Sequence, residues 1–230
     1  MPERVLWLLI GAVAMVALAA AALPDLRTSR HRLPGSGIRA LAGDRRFVLF
    51  LLVAACLQGS HATIYGFGTI HWQSAGVSAS VVGLLWAESV AVEIVFFAFG
   101  KHLLRRVGPT GLLAIGGLAG VLRWPLLALS ADPWLLAITQ PLHALTFGAA
   151  HLGAMTFLAA AVPAERSATA QSLHSAVASG IAFGVAMPLS GLLYGAFGGG
   201  AFLAMAALSA IGLAGACVLA RSAPAPVARL

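Results

Sequence analysis

The chain has 230 residues, of which 60% are hydrophobic and only 9% charged, and its mean hydropathy is +0.94. A soluble domain carries about 25% charged residues, so this composition excludes a water-soluble globule and describes a membrane protein. The net charge of +7 does not make it a nucleic-acid binder: the basic residues lie between apolar runs rather than on one solvated face.

A helix needs about 20 apolar residues to cross a hydrocarbon core roughly 30 Å thick. By that measure seven transmembrane helices are expected, at 5–23, 47–70, 81–99, 110–129, 134–162, 168–197 and 200–220. The fold class is therefore all-α and polytopic. The first run is read as a retained helix, not a signal peptide. It is longer than a usual signal core, and cleavage would export a loop holding six arginines. That loop, 24–46, reads as an Arg-rich linker between one leading helix (1–23) and a six-helix domain (47–220), with a short tail at 221–230.

The charges order the topology. Arg27, Arg30, Arg32, Arg39, Arg45 and Arg46 lie in the linker, Lys101, Arg105 and Arg106 in the loop 100–109, Arg166 in the loop after the fifth span, and Arg221 and Arg229 in the tail. Twelve of the fourteen basic residues thus share one side, which the positive-inside rule makes cytoplasmic. The expected placement is a bacterial inner membrane, with the N-terminus outside and the C-terminus in the cytoplasm. His71 and Trp72 fall at a span end and read as an interface anchor. His31, His102 and His174 read as loop or interface groups.

Ionisable groups inside spans are costly and usually functional. Rise per residue puts Arg123 about 20 Å from the cytoplasmic end of its span, Glu88 about 18 Å and Glu93 about 10 Å. A guanidinium this deep cannot shed its proton, so it needs a carboxylate partner or an anionic substrate. Glu88 matches its depth best. Glu88 and Glu93 are about 140° apart on a helix, so they cannot both face one cavity squarely. A desolvated carboxylate favours its protonated form, the property a proton-coupling group needs. His143 and His151 share a helix face with Phe147, and His61 shares one with Tyr65. The stretch 61–66, HATIYG, echoes 143–148, HALTFG, three spans later. That offset fits the inverted 3+3 repeat of many secondary transporters.

Other chemistries find less support. Cys56 and Cys217 sit in separate spans without metal-ligand spacing, and the only lysine, Lys101, is in a loop, which rules out a retinal Schiff base. No hydrolase motif, phosphate loop or nucleophile arrangement is present, so the chain reads as neither an enzyme nor a cofactor carrier. The alternative class is a non-transporting membrane protein. It would be an assembly or regulatory subunit, or a haem-binding electron carrier using His61 and His151.

Taken together, GSHATIYGFGTIHWQ, GLLWAESVAVEIVFF, GKHLLRRVGP, VLRWPLLAL, QPLHALTFGAAHLGAMTFL and ERSATAQSLHSAV resemble the major facilitator superfamily. The similarity is to its phenylpropionate permease-like branch, related to lactose and nucleoside proton symporters. The resemblance implies that the first span matches the sixth helix of a twelve-helix transporter and the rest its C-terminal half. It implies that Glu93 and Arg123 form the charged pair of proton-coupled binding, and that His61, Tyr65, Gln140 and His143 line the cavity. Glu88 is a departure from that pattern. The expected function is proton-coupled uptake of a small organic acid or similar metabolite by alternating access. The expected partners are the substrate, protons, the lipid bilayer, and a missing N-terminal half or a second copy.

Overall fold

The computed structural model describes residues 2–22 and 36–222. Arg27, Arg30, Arg32, His31 and Arg229 lie outside the described residues, as does most of the linker. The chain divides into two units, 1–32 and 33–230. The first contributes α1 (Pro2–Ala21), a 20-residue helix without a basic residue in its last turn. Everything below concerns the second unit.

That unit comprises α2 (Ser36–Gly43), α3 (Arg45–Gly59), α4 (Ala62–Ser74), α5 (Ala79–Leu129), α6 (Pro133–Thr139), α7 (Ala150–Ala161), α8 (Ser167–His174), α9 (Phe183–Phe197) and α10 (Ala201–Arg221). No strand occurs among the described residues. Among the described residues, four continuous helical stretches are long and apolar enough to cross a membrane: Arg45–Ser74, Ala79–Leu129, Pro133–Ala161 and Ala164–Arg221. Two are too long for one crossing. At 1.5 Å per residue, the 51 residues of α5 would run about 76 Å, over twice the hydrocarbon thickness. The chain turns inside α5 at Gly108 (φ 70°, ψ 177°), and in the last stretch at Gly198 (φ 54°). Both need the positive φ that glycine tolerates at least cost. The expected six spans of this unit are thus present, with two of their joints reduced to tight turns.

The stretch 100–107, read as a loop, is helical: Lys101, Arg105 and Arg106 are exposed on an extension of the first arm of α5, and one residue, Gly108, makes the reversal. Pro109 then opens the second arm, where its missing N–H costs nothing. The linker also ends in structure. Asp44 caps α3, its Oδ1 accepting from the Arg46 and Phe47 amides at 2.8 and 3.4 Å, while Leu41 of α2 is buried. The anchor reading of Trp72 is corrected: its ring is 0% exposed and packs 5.8 Å from Trp86. Its large apolar surface is better buried between helices than left at a boundary.

Two apolar clusters hold the unit together. Phe47, Phe50, Leu57, Leu113, Phe157 and Leu158 form part of one; Ile64, Trp72, Leu85, Trp124, Leu136 and Phe202 form part of the other. Along α3–α4, the second arm of α5, and the α6–α7 stretch, the two clusters occupy opposite ends. A polar belt lies between them. Because lipid tails are as apolar as leucine, close packing and hydrogen bonds must hold the helices together. Trp124 Nε1 donates to Ser209 Oγ at 2.9 Å, Thr63 Oγ1 to Ser190 Oγ at 3.1 Å, and Trp86 Nε1 to Thr69 Oγ1 at 3.0 Å. At Gly117 the backbone of α10 comes so near that a Cβ would lie 2.9 Å from Leu213 Cα.

Gly117→Val should therefore force α5 and α10 apart and lower stability by about 1–3 kcal/mol, the usual cost of overpacking. Gly184→Ala, where an added Cβ meets nothing within 4 Å, should not lower it. Melting of the detergent-solubilised protein checks both.

Candidate functional site

The polar belt is organised around Arg123 on the second arm of α5. Its side chain is 0% exposed, and its guanidinium carbon lies 5.0 Å from the Trp124 ring centroid. Nη2 donates to Gln140 Oε1 at 3.0 Å, and Nη1 donates to Thr146 Oγ1 at 3.1 Å and to His143 Nδ1 at 3.2 Å. All three partners come from one stretch of chain. On a regular α-helix residues i, i+3 and i+6 would fan across about 120°. Pro141 disturbs that winding: lacking an N–H and crowding the preceding carbonyls, it sits in a 3₁₀ turn, Gln140–Leu142, followed by a π-helical segment, Ala144–Ala149. The altered winding lets Gln140, His143 and Thr146 converge on one guanidinium.

Hydrogen-bond chemistry assigns the tautomers. Arginine only donates, so His143 Nδ1 carries a lone pair and its Nε2 carries the hydrogen. That Nε2 faces Glu93 Oε2 at 3.3 Å. His61 Nδ1 lies 3.0 Å from the Leu57 carbonyl, which only accepts, so Nδ1 carries the hydrogen and Nε2 accepts from Thr146 Oγ1 at 3.2 Å. Thr146 is thus a hub, accepting a hydrogen bond from Arg123 and donating one to His61. Gln140 Oε1 also accepts from Ser89 Oγ at 2.6 Å. Two donors of this belt, Arg123 Nε and Gln140 Nε2, are buried without a partner among the described residues.

Among the described residues no carboxylate lies within 4.0 Å of Arg123; the nearest connected acid is Glu93, reached through His143. Aromatic rings wall one side. Tyr65, 40% exposed, stacks on His61 at 5.7 Å and on Trp86 at 6.0 Å, and lies 6.0 Å from Phe183. The two members of the sequence echo meet here: the rings of His61 and His143 stand edge to face at 5.8 Å.

The structure therefore brings together Arg123, His143, Gln140, Glu93, His61 and Tyr65. It does not bring Glu88 or His151 to the guanidinium. Glu88, favoured by depth as the partner of Arg123, points into a separate groove with Trp134. Its neighbour Ser89 faces Gln140 instead, one residue or about 100° around the helix. His151 lines a cavity of about 510 Å³ with His174, Gln58 and Gln171, separated from His143 by Phe147, on which both rings stack at 5.5 and 5.8 Å. His174, expected at a loop or interface, is the last residue of α8 and stacks on Phe50 at 5.6 Å. His61 has both ring nitrogens in hydrogen bonds, which leaves none for a haem iron. Thr146, Ser89, Trp86 and Phe183 were not anticipated. Only Thr146 carried a signal, as a hydroxyl three residues after His143 in an apolar run.

A family model described as "MFS_1 like family" matches residues 5–204. The chain is 42% identical over 158 residues to an Escherichia coli (strain K12) protein named "Probable 3-phenylpropionic acid transporter", a match covering 68% of this chain and 41% of that protein. It is 27% identical over 178 residues to the "Maltose permease" of Geobacillus stearothermophilus, covering 74% of this chain and 44% of the permease. A third relative, "Uncharacterized transporter YwbF" of Bacillus subtilis (strain 168), is 22% identical over 144 residues, covering 63% of this chain and 36% of that protein. The chain spans less than half the length of each of these relatives.

Thr146→Val keeps the volume of the hub but removes its hydroxyl, leaving Arg123 Nη1 and His61 Nε2 short of a partner. Polar contacts between membrane helices average about 0.6 kcal/mol. Here a charged donor loses an acceptor in a dry site, so the loss should reach about 1–3 kcal/mol. Thr156→Val, whose hydroxyl bonds only to carbonyls of its own helix, should cost less. Thermal melting of the two variants side by side reads the difference.

Proposed function

The chain belongs to the MFS_1-like family, and from that premise we propose that it is the C-terminal part of a proton-coupled carrier that takes up a small organic acid by alternating access. The observation that carries this reading is the state of Arg123: a fully buried permanent cation held only by neutral groups. Such a group is completed by an anion, and a carboxylate substrate provides one in the two-pronged geometry that a guanidinium suits best. Gln140 Nε2 supplies a further unused donor at the same place.

The aromatic wall of Tyr65, Trp86 and Phe183 supports a substrate with a flat apolar body as well as an acid group. The relative named for 3-phenylpropionic acid points the same way. Coupling to protons follows from electrostatics. With Glu93 ionised, its charge reaches Arg123 through the His143 ring and partly compensates it. Once Glu93 takes a proton, that compensation vanishes and the guanidinium attracts an anion more strongly. Proton and carboxylate then enter together, and the loaded centre carries no more net charge than the empty one. A proton placed instead on His143 Nδ1 would set N–H against N–H and break its bond to Arg123.

In this reading the basic helix ends face the cytoplasm of a bacterial inner membrane, the N-terminus lies outside, and the open side of the unit meets an N-terminal half or a second copy. Glu93, Arg123, Gln140, His143, His61 and Tyr65 form the substrate and proton centre. His151 lines the route beside it, and Glu88 lies off it.

Uptake of radiolabelled 3-phenylpropionate into vesicles from cells carrying the gene at its own locus tests the reading. Accumulation should collapse with a protonophore, and Arg123→Gln should reduce it at least about tenfold, as for loss of a charge-assisted pair. Glu93→Gln should abolish accumulation yet keep downhill exchange. Full accumulation in both variants would overturn the assignment.

A further inference from the structure

We infer that the groove between the first arm of α5 and α6 docks a transmembrane helix bearing a lysine or arginine, and that Glu88 is the acid that receives it. The groove encloses about 700 Å³ and is lined by Leu84, Leu85, Ala91, Pro133, Trp134 and Ala137 around the Glu88 side chain. Apart from that carboxylate its walls are apolar. Small residues stand on both sides, Ala87 and Ala91 from α5 and Ala137 from α6, so another helix can approach closely. Leu84 and Trp134 flank it at 69% and 79% exposure.

Charge decides the occupant. Among the described residues Glu88 has no hydrogen-bond or ion-pair partner, whereas Ser89, Glu93, Arg123 and Gln140 nearby all have one. An acid in the middle of a span is normally paired. Arg123 cannot answer it, being buried among its own partners. An acyl chain filling the groove would bring no cation, and a lipid headgroup would not reach mid-span. An anionic substrate would be repelled. A second copy has no spare cation at this depth among its described side chains, since its own Arg123 is enclosed. A different membrane helix with a basic residue near its centre satisfies both the shape and the charge. The inference needs only that the chain spans a membrane, and does not depend on what the Arg123 centre binds.

The test uses the purified full chain in phosphatidylcholine vesicles with dansyl-labelled Leu/Ala transmembrane peptides carrying a central Arg, Gln or Glu. Energy transfer from Trp134 reports docking, and the signal that remains in Trp134→Phe gives the contribution of the other tryptophans to be subtracted. The Arg peptide should associate about three- to fifteenfold more tightly than the Gln peptide, the span that polar contacts between membrane helices give. Glu88→Gln should erase that preference, and Glu88→Arg should transfer it to the Glu peptide. Equal association of Arg and Gln peptides with the wild-type chain would overturn the inference. So would an Arg preference that survives Glu88→Gln.

Discussion

A guanidinium cannot lose its charge at neutral pH, and burying one inside a membrane protein constrains everything near it. Among the described residues, Arg123 meets that constraint without a carboxylate in contact. Its charge is spread over three hydrogen bonds to neutral acceptors and the face of Trp124. Each acceptor is itself held: Gln140 by Ser89, Thr146 by His61, and His143 against Glu93. The network therefore fixes the relative positions of four helical segments. The apolar clusters at either end keep water from relaxing it. In such a setting polar contacts are stronger when made and more costly when broken.

Local covalent chemistry makes the arrangement possible. Pro141 would be a defect in a plain membrane helix. Here the disturbance it introduces is taken up by a 3₁₀ turn and then a π segment, which aim three side chains at one point. Glycine plays the complementary part on the far face of α5. There Gly117 lets α10 lie backbone to backbone at Leu213, and Gly120 leaves the room in which Ser209 reaches the indole of Trp124. The ring beneath the guanidinium is thus braced from behind.

The spans were legible because the requirement of about 20 apolar residues is so coarse that little else satisfies it. Arg123 and His143 stood out because membrane helices rarely tolerate such groups without cause. Direction around a helix was harder. Depth favoured Glu88 as the partner of Arg123, but depth carries no angle, and the angle sends Glu88 into another groove. Trp72 misled for a related reason: tryptophan suits both an interface and a tight core, and nearness to a span end does not separate the two. The stretch 100–107 looked like a loop because it is charged, yet charge on a helix that emerges from the bilayer costs little. Thr146 escaped because a lone hydroxyl in an apolar run usually bonds back to its own helix. Only the π winding that follows Pro141 turns it toward Arg123.

Two π segments, Ala144–Ala149 and Ser175–Ala182, lie on neighbouring spans and flank the cavity that holds His151 and His174. A π turn holds more residues than an α turn. Its relaxation to regular α winding would rotate the downstream helix by about 100° for each residue released. The stretches joining Ala75 to Ala79 and Leu129 to Pro133, at the opposite end of the bundle, adjoin regular α-helix on both sides. Compliance in this unit is therefore lopsided, with wound slack stored at one end and stiff rods at the other. Releasing the π turn at Ala144–Ala149 would swing Thr146 off Arg123, so a load that bends the bundle at the His151 end also loosens the grip on the guanidinium.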